Sequence, residues 1–124
     1  MTKAAALYSF WASFGIPAYE ESAVPAGDNA PKFPYLTYQV VTDSIGGEVT
    51  MVASVWYRST SWVDANAKAE EISTALSGGK IIPCDGGALW LKRGTPFAQS
   101  MGDPSDDKIR RKLLNVSAEY ITLN

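Results

Sequence analysis

From Glu48 to Arg58 the chain places an apolar residue at every second position: Val49, Met51, Ala53, Val55 and Tyr57. Successive side chains of an extended chain point to opposite faces, so this run predicts a strand with one buried face. Tyr35 to Thr42 alternates in the same way, with Leu36, Tyr38 and Val40 on one face. Between the two lies Asp43-Ser44-Ile45-Gly46-Gly47, which carries the turn residues of a hairpin. The first run leaves Val52 and Trp56 pointing away from its core side. Either a helix covers that second face as well, or the face is an interface.

The period changes elsewhere to that of a helix. Residues 2–14 place Leu7, Phe10, Trp11 and Phe14 at helical spacing, with Gly15 as the stop. Ser9 and Ser13 interrupt the apolar run, which fits an amphipathic helix better than the uniform apolar segment of a signal peptide. No window approaches the roughly 18 apolar residues of a membrane span. A second helix is expected from Ser61, with Ser61 and Asp64 as a capping box in which Asp replaces the usual Glu. Its stripe is Trp62, Ala65, Ala69, Ile72 and Leu76, and Gly78-Gly79 ends it.

Ile16 to Tyr19 reads as a short extended piece, followed by a long loop from Glu20 to Pro34 that holds Pro25, Gly27, Asp28, Pro31 and Pro34. Lys80 to Pro83 and Ala88 to Lys92 read as short strands around a turn at Cys84-Asp85-Gly86-Gly87. A second long loop is expected from Gly94 to Asp107, and a last strand from Ile109 to Thr122 with Leu114, Val116, Ala118 and Tyr120 on one face. The order predicts a single α+β domain over residues 1–124, an antiparallel or mixed sheet with two main helices packed on it. Loops of such length in a small domain are usually functional, and both are expected to be its mobile parts.

Composition narrows the chemistry. The chain of 124 residues is 46% hydrophobic and has a formal net charge of -2, which is globular and lacks the basic excess of a general nucleic-acid binder. Histidine is absent, which removes the commonest general base and a common metal ligand. The lone cysteine, Cys84, excludes an internal disulfide and fits a reducing compartment. As a nucleophile Cys84 would need a lysine or carboxylate as its base; as a small residue at a turn it needs nothing. Asp103, Asp106 and Asp107 do not follow the spacing of a calcium loop. The paired glycines form neither a dinucleotide fingerprint nor a phosphate loop, so no cofactor or metal is expected.

The three aspartates run directly into Lys108, Arg110, Arg111 and Lys112. In a strand, residues 108, 110 and 112 share one face and Arg111 takes the other, so the basic cluster is split. Solvated or mutually paired charge is expected there, with no strong affinity for nucleic acid.

Four stretches carry a resemblance: Tyr35-Leu36-Thr37-Tyr38-Gln39-Val40, Val55-Trp56-Tyr57-Arg58-Ser59-Thr60-Ser61-Trp62, Ile81-Ile82-Pro83-Cys84-Asp85-Gly86-Gly87 and Lys92-Arg93-Gly94-Thr95-Pro96-Phe97-Ala98-Gln99. Together they resemble the tail-terminator, or tail-completion, proteins of long-tailed bacteriophages and prophages, over nearly the whole chain. The resemblance implies a virion structural protein, made in the host cytoplasm, that forms a ring, expected as a hexamer, at the head-proximal end of the tail tube. Such a ring ends tube growth and joins the tube protein to a head-closure or neck protein. It implies no catalytic residue. Trp56, Arg58, Phe97, Asp103, Asp106, Asp107, Lys108, Arg110 and Arg111 are the candidate subunit or partner interface. A neighbouring neck or head–tail adaptor protein is the alternative; a small enzyme using Cys84 is the remote one.

Overall fold

The computed structural model describes residues 1–40 and 47–122. The chain runs α1 (Lys3–Ala12), β1 (Ala18–Glu20), β2 (Tyr35–Tyr38), β3 (Glu48–Arg58), α2 (Val63–Ala75), β4 (Lys80–Cys84), β5 (Gly87–Asp103) and β6 (Asp106–Thr122). The strands make one six-stranded sheet in the order β1-β2-β3-β6-β5-β4. β1 lies parallel to β2, and every other neighbouring pair is antiparallel. The architecture is therefore α+β with a mixed sheet.

Register settles which residues share a face. Met51 faces Val116, Ala53 faces Leu114, and Val55 faces Lys112 on one side and Leu36 on the other. These positions, with Tyr38, Leu89, Leu91 and Ala118, make the buried side of the sheet. Leu7, Phe10, Trp11 and Phe14 from the first helical segment and Ala69, Ile72 and Leu76 from the second complete the same cluster. The apolar stripes expected from periodicity are thus the ones buried, except for Trp62, which precedes α2 and is only half-buried outside the cluster.

α1 touches both β1 and β4, which are the two outermost strands of the sheet. Six flat strands would hold those edges roughly 24 Å apart, more than twice the roughly 10 Å width of a helix. The sheet therefore curls around α1. α2 lies against β3, β6 and β5 on the same inner side.

The local signals fare differently. The Thr2 hydroxyl accepts a hydrogen bond from the Ala5 amide at 3.1 Å and caps α1. The capping box expected from Ser61 and Asp64 does not form. Ser61 Oγ accepts from the Val63 amide at 3.1 Å, but the Ser61 amide donates to Ser59 Oγ, so Asp64 has no amide to return to. The loop from Glu20 to Pro34 contains two single-turn 3₁₀ helices, Glu21–Ala23 and Gly27–Asn29. β2 ends at Tyr38, so Gln39 and Val40 fall outside the strand expected to reach Thr42; Val41, Thr42 and the turn at residues 43–47, apart from Gly47, lie outside the described residues.

The largest correction concerns residues 94–107. They were expected as a mobile loop; instead β5 and β6 form a hairpin of two 17-residue strands that closes at Asp103 and Asp106. The misleading residues sit in a bulge. Arg93 pairs with Val116 and Ala98 with Leu114, so Gly94, Thr95, Pro96 and Phe97 all lie opposite Asn115. Asn115 Nδ2 donates to the Pro96 carbonyl at 2.9 Å and holds the bulge to the sheet. Pro96 and Gly94 fit a bulge for the same reasons that they break an ordinary strand pattern.

Candidate assembly surface

Both α-helices bury their apolar stripes on one side of the sheet, and neither lies over the other side. That outer face collects the residues one place out of step with the core. Tyr35, Trp56 and Arg111 are register partners on β2, β3 and β6, and form a single row. Tyr35 and Trp56 stack with centroids 5.9 Å apart, and the Arg111 guanidinium lies 4.6 Å from the Trp56 ring centre. A cation over an indole contributes about 1 kcal/mol at a half-exposed site.

Hydrogen bonds fix the row. Trp56 Nε1 donates to Thr37 Oγ1 at 2.9 Å, and Arg111 Nε donates to Ser54 Oγ at 3.0 Å. Ser54 is 1% exposed, so Arg111 also satisfies a buried hydroxyl. Val24 and Glu21 rim a groove of about 370 Å³ over this row, and Thr37, Gln39, Val52 and Ser54 line it beside the stacked residues. Burial raises the Tyr35 phenol above its ordinary value, opposed by Arg111, so it stays neutral over the physiological range.

The other candidate residues gather around the β5–β6 hairpin. Arg58 Nε donates to Asp106 Oδ2 at 2.8 Å, tying the end of β3 to the start of β6. Asp106 Oδ1 accepts from the Lys108 amide at 2.9 Å. Asp103 Oδ1 accepts from both the amide and the hydroxyl of Ser105, at 2.8 and 2.6 Å, which closes the tip. Arg110 donates to the carbonyls of Asp107 and Thr60 and lies 5.4 Å from the Trp62 ring centre. Lys112 Nζ donates to Ser100 Oγ at 3.0 Å and also faces Trp62. The basic cluster is split as expected, with Arg110 and Lys112 on the helix side and Arg111 outside. Phe97 sits half-buried against the core at the bulge, away from the aromatic row.

The tip gives a pH expectation. The Arg58 hydrogen bond holds the Asp106 carboxyl below its ordinary range, and the Ser105 hydrogen bonds do the same for Asp103. A depressed folded pKa contributes order above the unfolded value of about 3.9, lost as pH falls through the folded value. Protection of the amides at residues 102–108, taken relative to their intrinsic exchange rates, is expected to be unchanged from pH 8 to 5 and to fall below about pH 4 relative to the β3–β6 amides. Equal loss of protection in both places would show that the carboxylates do not hold the tip.

Sequence reasoning located Trp56 and Arg111 but missed their setting. Tyr35, Thr37 and Ser54 become one site with them only through the β2–β3–β6 register, which alternation within one strand does not reveal. Cys84 ends β4 at a turn and is half-buried. Among the described residues no group of three or more Cys, Asp or Glu is arranged to hold a metal ion.

The fold is α+β, with both α-helices on one face of the sheet and the Tyr35, Trp56 and Arg111 row on the other. No protein-family model matches the chain. No curated protein matches it either.

Proposed function

We propose that this chain is a structural subunit of a long-tailed bacteriophage or prophage, which assembles into a ring at the head-proximal end of the tail tube and joins tube to head. The observation that supports the reading best is the one-sided sheet. Its outer face carries a fixed aromatic and arginine row, Tyr35, Trp56 and Arg111, with neither α1 nor α2 over it and Glu21 and Val24 at its rim. Large aromatics and arginines are the residues enriched where proteins meet. A ring of identical subunits uses head-to-tail contacts, and such contacts need two different surfaces on each copy. The resemblance in sequence supplies the phage context.

The hairpin charges fit the same reading. Arg58, Arg110, Arg111 and Lys112 are each engaged within the chain by a carboxylate, carbonyl, hydroxyl or aromatic ring. They are poorly placed to bind phosphates, so DNA passing through the ring would not be held.

Light scattering and negative-stain microscopy of the purified protein test the proposal. A discrete ring is expected, and its addition to growing tail tubes should shorten them. A monomer at every concentration that leaves tube length unchanged would overturn it. DNA retention should be weak at physiological salt; tight, salt-sensitive retention would overturn the charge assignment.

A further inference from the structure

Among the described residues β4, β1 and the far part of β5 leave strand edge free, and they differ in protection. β4 carries Pro83 and Lys80, residues that blunt an edge against pairing. β1 is three residues long and ends at Glu20. β5 differs. β4 pairs with it only from Gly87 to Leu91, so the edge beyond the bulge is left without a strand. That edge reads Phe97-Ala98-Gln99-Ser100-Met101-Gly102, with neither charge nor proline. Met101 is 37% exposed. Residues 98–101 keep regular pairing with β6, and an uncharged, regular edge is a template for another strand.

The register relates this edge to the opposite end of the sheet. Ala18 pairs with Leu36, Leu36 with Val55, Val55 with Lys112, and Lys112 with Ser100. The adjacent row runs Tyr19, Thr37, Ser54, Leu113, Gln99, and the next runs Glu20, Tyr38, Ala53, Leu114, Ala98. The three residues of β1 and residues 98–100 of β5 therefore lie at the same level across the sheet. Their directions also match. β1 runs with β2, and three successive antiparallel pairings then set β5 opposite to β1.

We infer that β5 of one copy pairs antiparallel with β1 of the next, through residues 98–100 and Ala18–Glu20, so that the sheet continues from subunit to subunit. A copy rotated about an axis along the strands, without translation, brings its β1 to this edge in that sense. Equal level at the two ends is what lets such a chain close as a ring instead of climbing as a filament. Tyr19 is on the outer face and would lie beside Gln99 and Met101, covering the exposed methionine. The row contacts oppose no like charges: Ala18 meets Ser100, Tyr19 meets Gln99, and Glu20 meets Ala98.

This inference rests on the ring reading, and the test separates the two. Tyr19→Cys and Gln99→Cys are introduced together in a Cys84→Ser background. Within one chain these positions are four strand spacings apart along the sheet, roughly 19 Å if flat, too far for a disulfide; across the proposed contact they are opposite partners. Oxidation is expected to give a covalent ladder up to the full ring, with each single-cysteine control stopping at dimer. Gln99→Lys with Met101→Lys should lower the assembled fraction at least tenfold while the monomer keeps its circular dichroism. Rings that form without cross-links here or at Ala98 or Ser100 paired with Tyr19, and that tolerate both lysines, would overturn the inference and leave the ring reading standing. Absence of any oligomer would overturn both.

Discussion

Gly87→Ala is expected to destabilise the protein by about 3 kcal/mol or more and to lower the melting temperature by roughly 10 °C or more. Gly87 opens β5 and pairs with Thr122 of β6. A methyl group there would sit 1.9 Å from the Ile121 carbonyl oxygen and 2.9 Å from its carbon. Those are backbone atoms of a paired strand, so no rotamer change relieves the clash, and β5 and β6 must separate where the hairpin begins. Gly102→Ala is the control. It lies in the same strand with nothing within 4 Å of the added carbon, and a change within about 0.5 kcal/mol is expected. Thermal melts of the two variants beside wild type check both. Similar melting points for Gly87→Ala and wild type would show that the two strands are not packed this closely.

Trp11→Ala is expected to cost about 3–5 kcal/mol, the range for emptying a buried aromatic site. Trp11 is 1% exposed and packs against Phe10, Phe14 and Tyr38, with ring centroids 4.9, 6.3 and 6.2 Å away. It is the point where α1 meets β2 through the core. Its Nε1 is buried with no hydrogen-bond partner among the described residues. An unsatisfied buried donor costs about 1–3 kcal/mol, so Trp11→Phe removes a penalty as well as some volume. The phenylalanine variant should therefore lose less than half of what the alanine variant loses. Denaturant unfolding of both variants decides this, and equal losses would mean that the indole N–H is satisfied in solution.

How far the sequence discloses this molecule depends on whether a feature is local. β3 was legible to the residue, because alternation from Glu48 to Arg58 is a property of one strand. The buried stripes of both helices were legible for the same reason. The hairpin through residues 94–107 was not, because Gly94, Pro96, Gly102 and Pro104 are the residues that normally interrupt strands. Their strand character comes from a partner: β6 supplies the hydrogen bonds, and Asn115 holds the bulge from across the ladder. Ser61 shows the converse. Its sequence context fits a capping box, but Ser59 takes the amide that the box requires. Of the candidate surface, the outward direction of Trp56 and the split of Arg110 from Arg111 could be read in advance. That Arg111, Trp56 and Tyr35 form one row could not, since their three strands come together only through tertiary pairing.

The curl of the sheet around α1 bears on how the chain reaches its native state. α1 needs β1, close by in sequence, and β4, which begins at Lys80 after a hairpin and a whole helix have intervened. Its apolar stripe has a complete resting place only once both ends of the sheet exist. Such distant contacts require long chain segments to close before they are rewarded, which slows folding. During synthesis Leu7, Phe10, Trp11 and Phe14 emerge before every strand they pack on, and stay exposed until those strands follow. A nascent chain stopped before Lys80 would carry this stripe with one of its two walls missing.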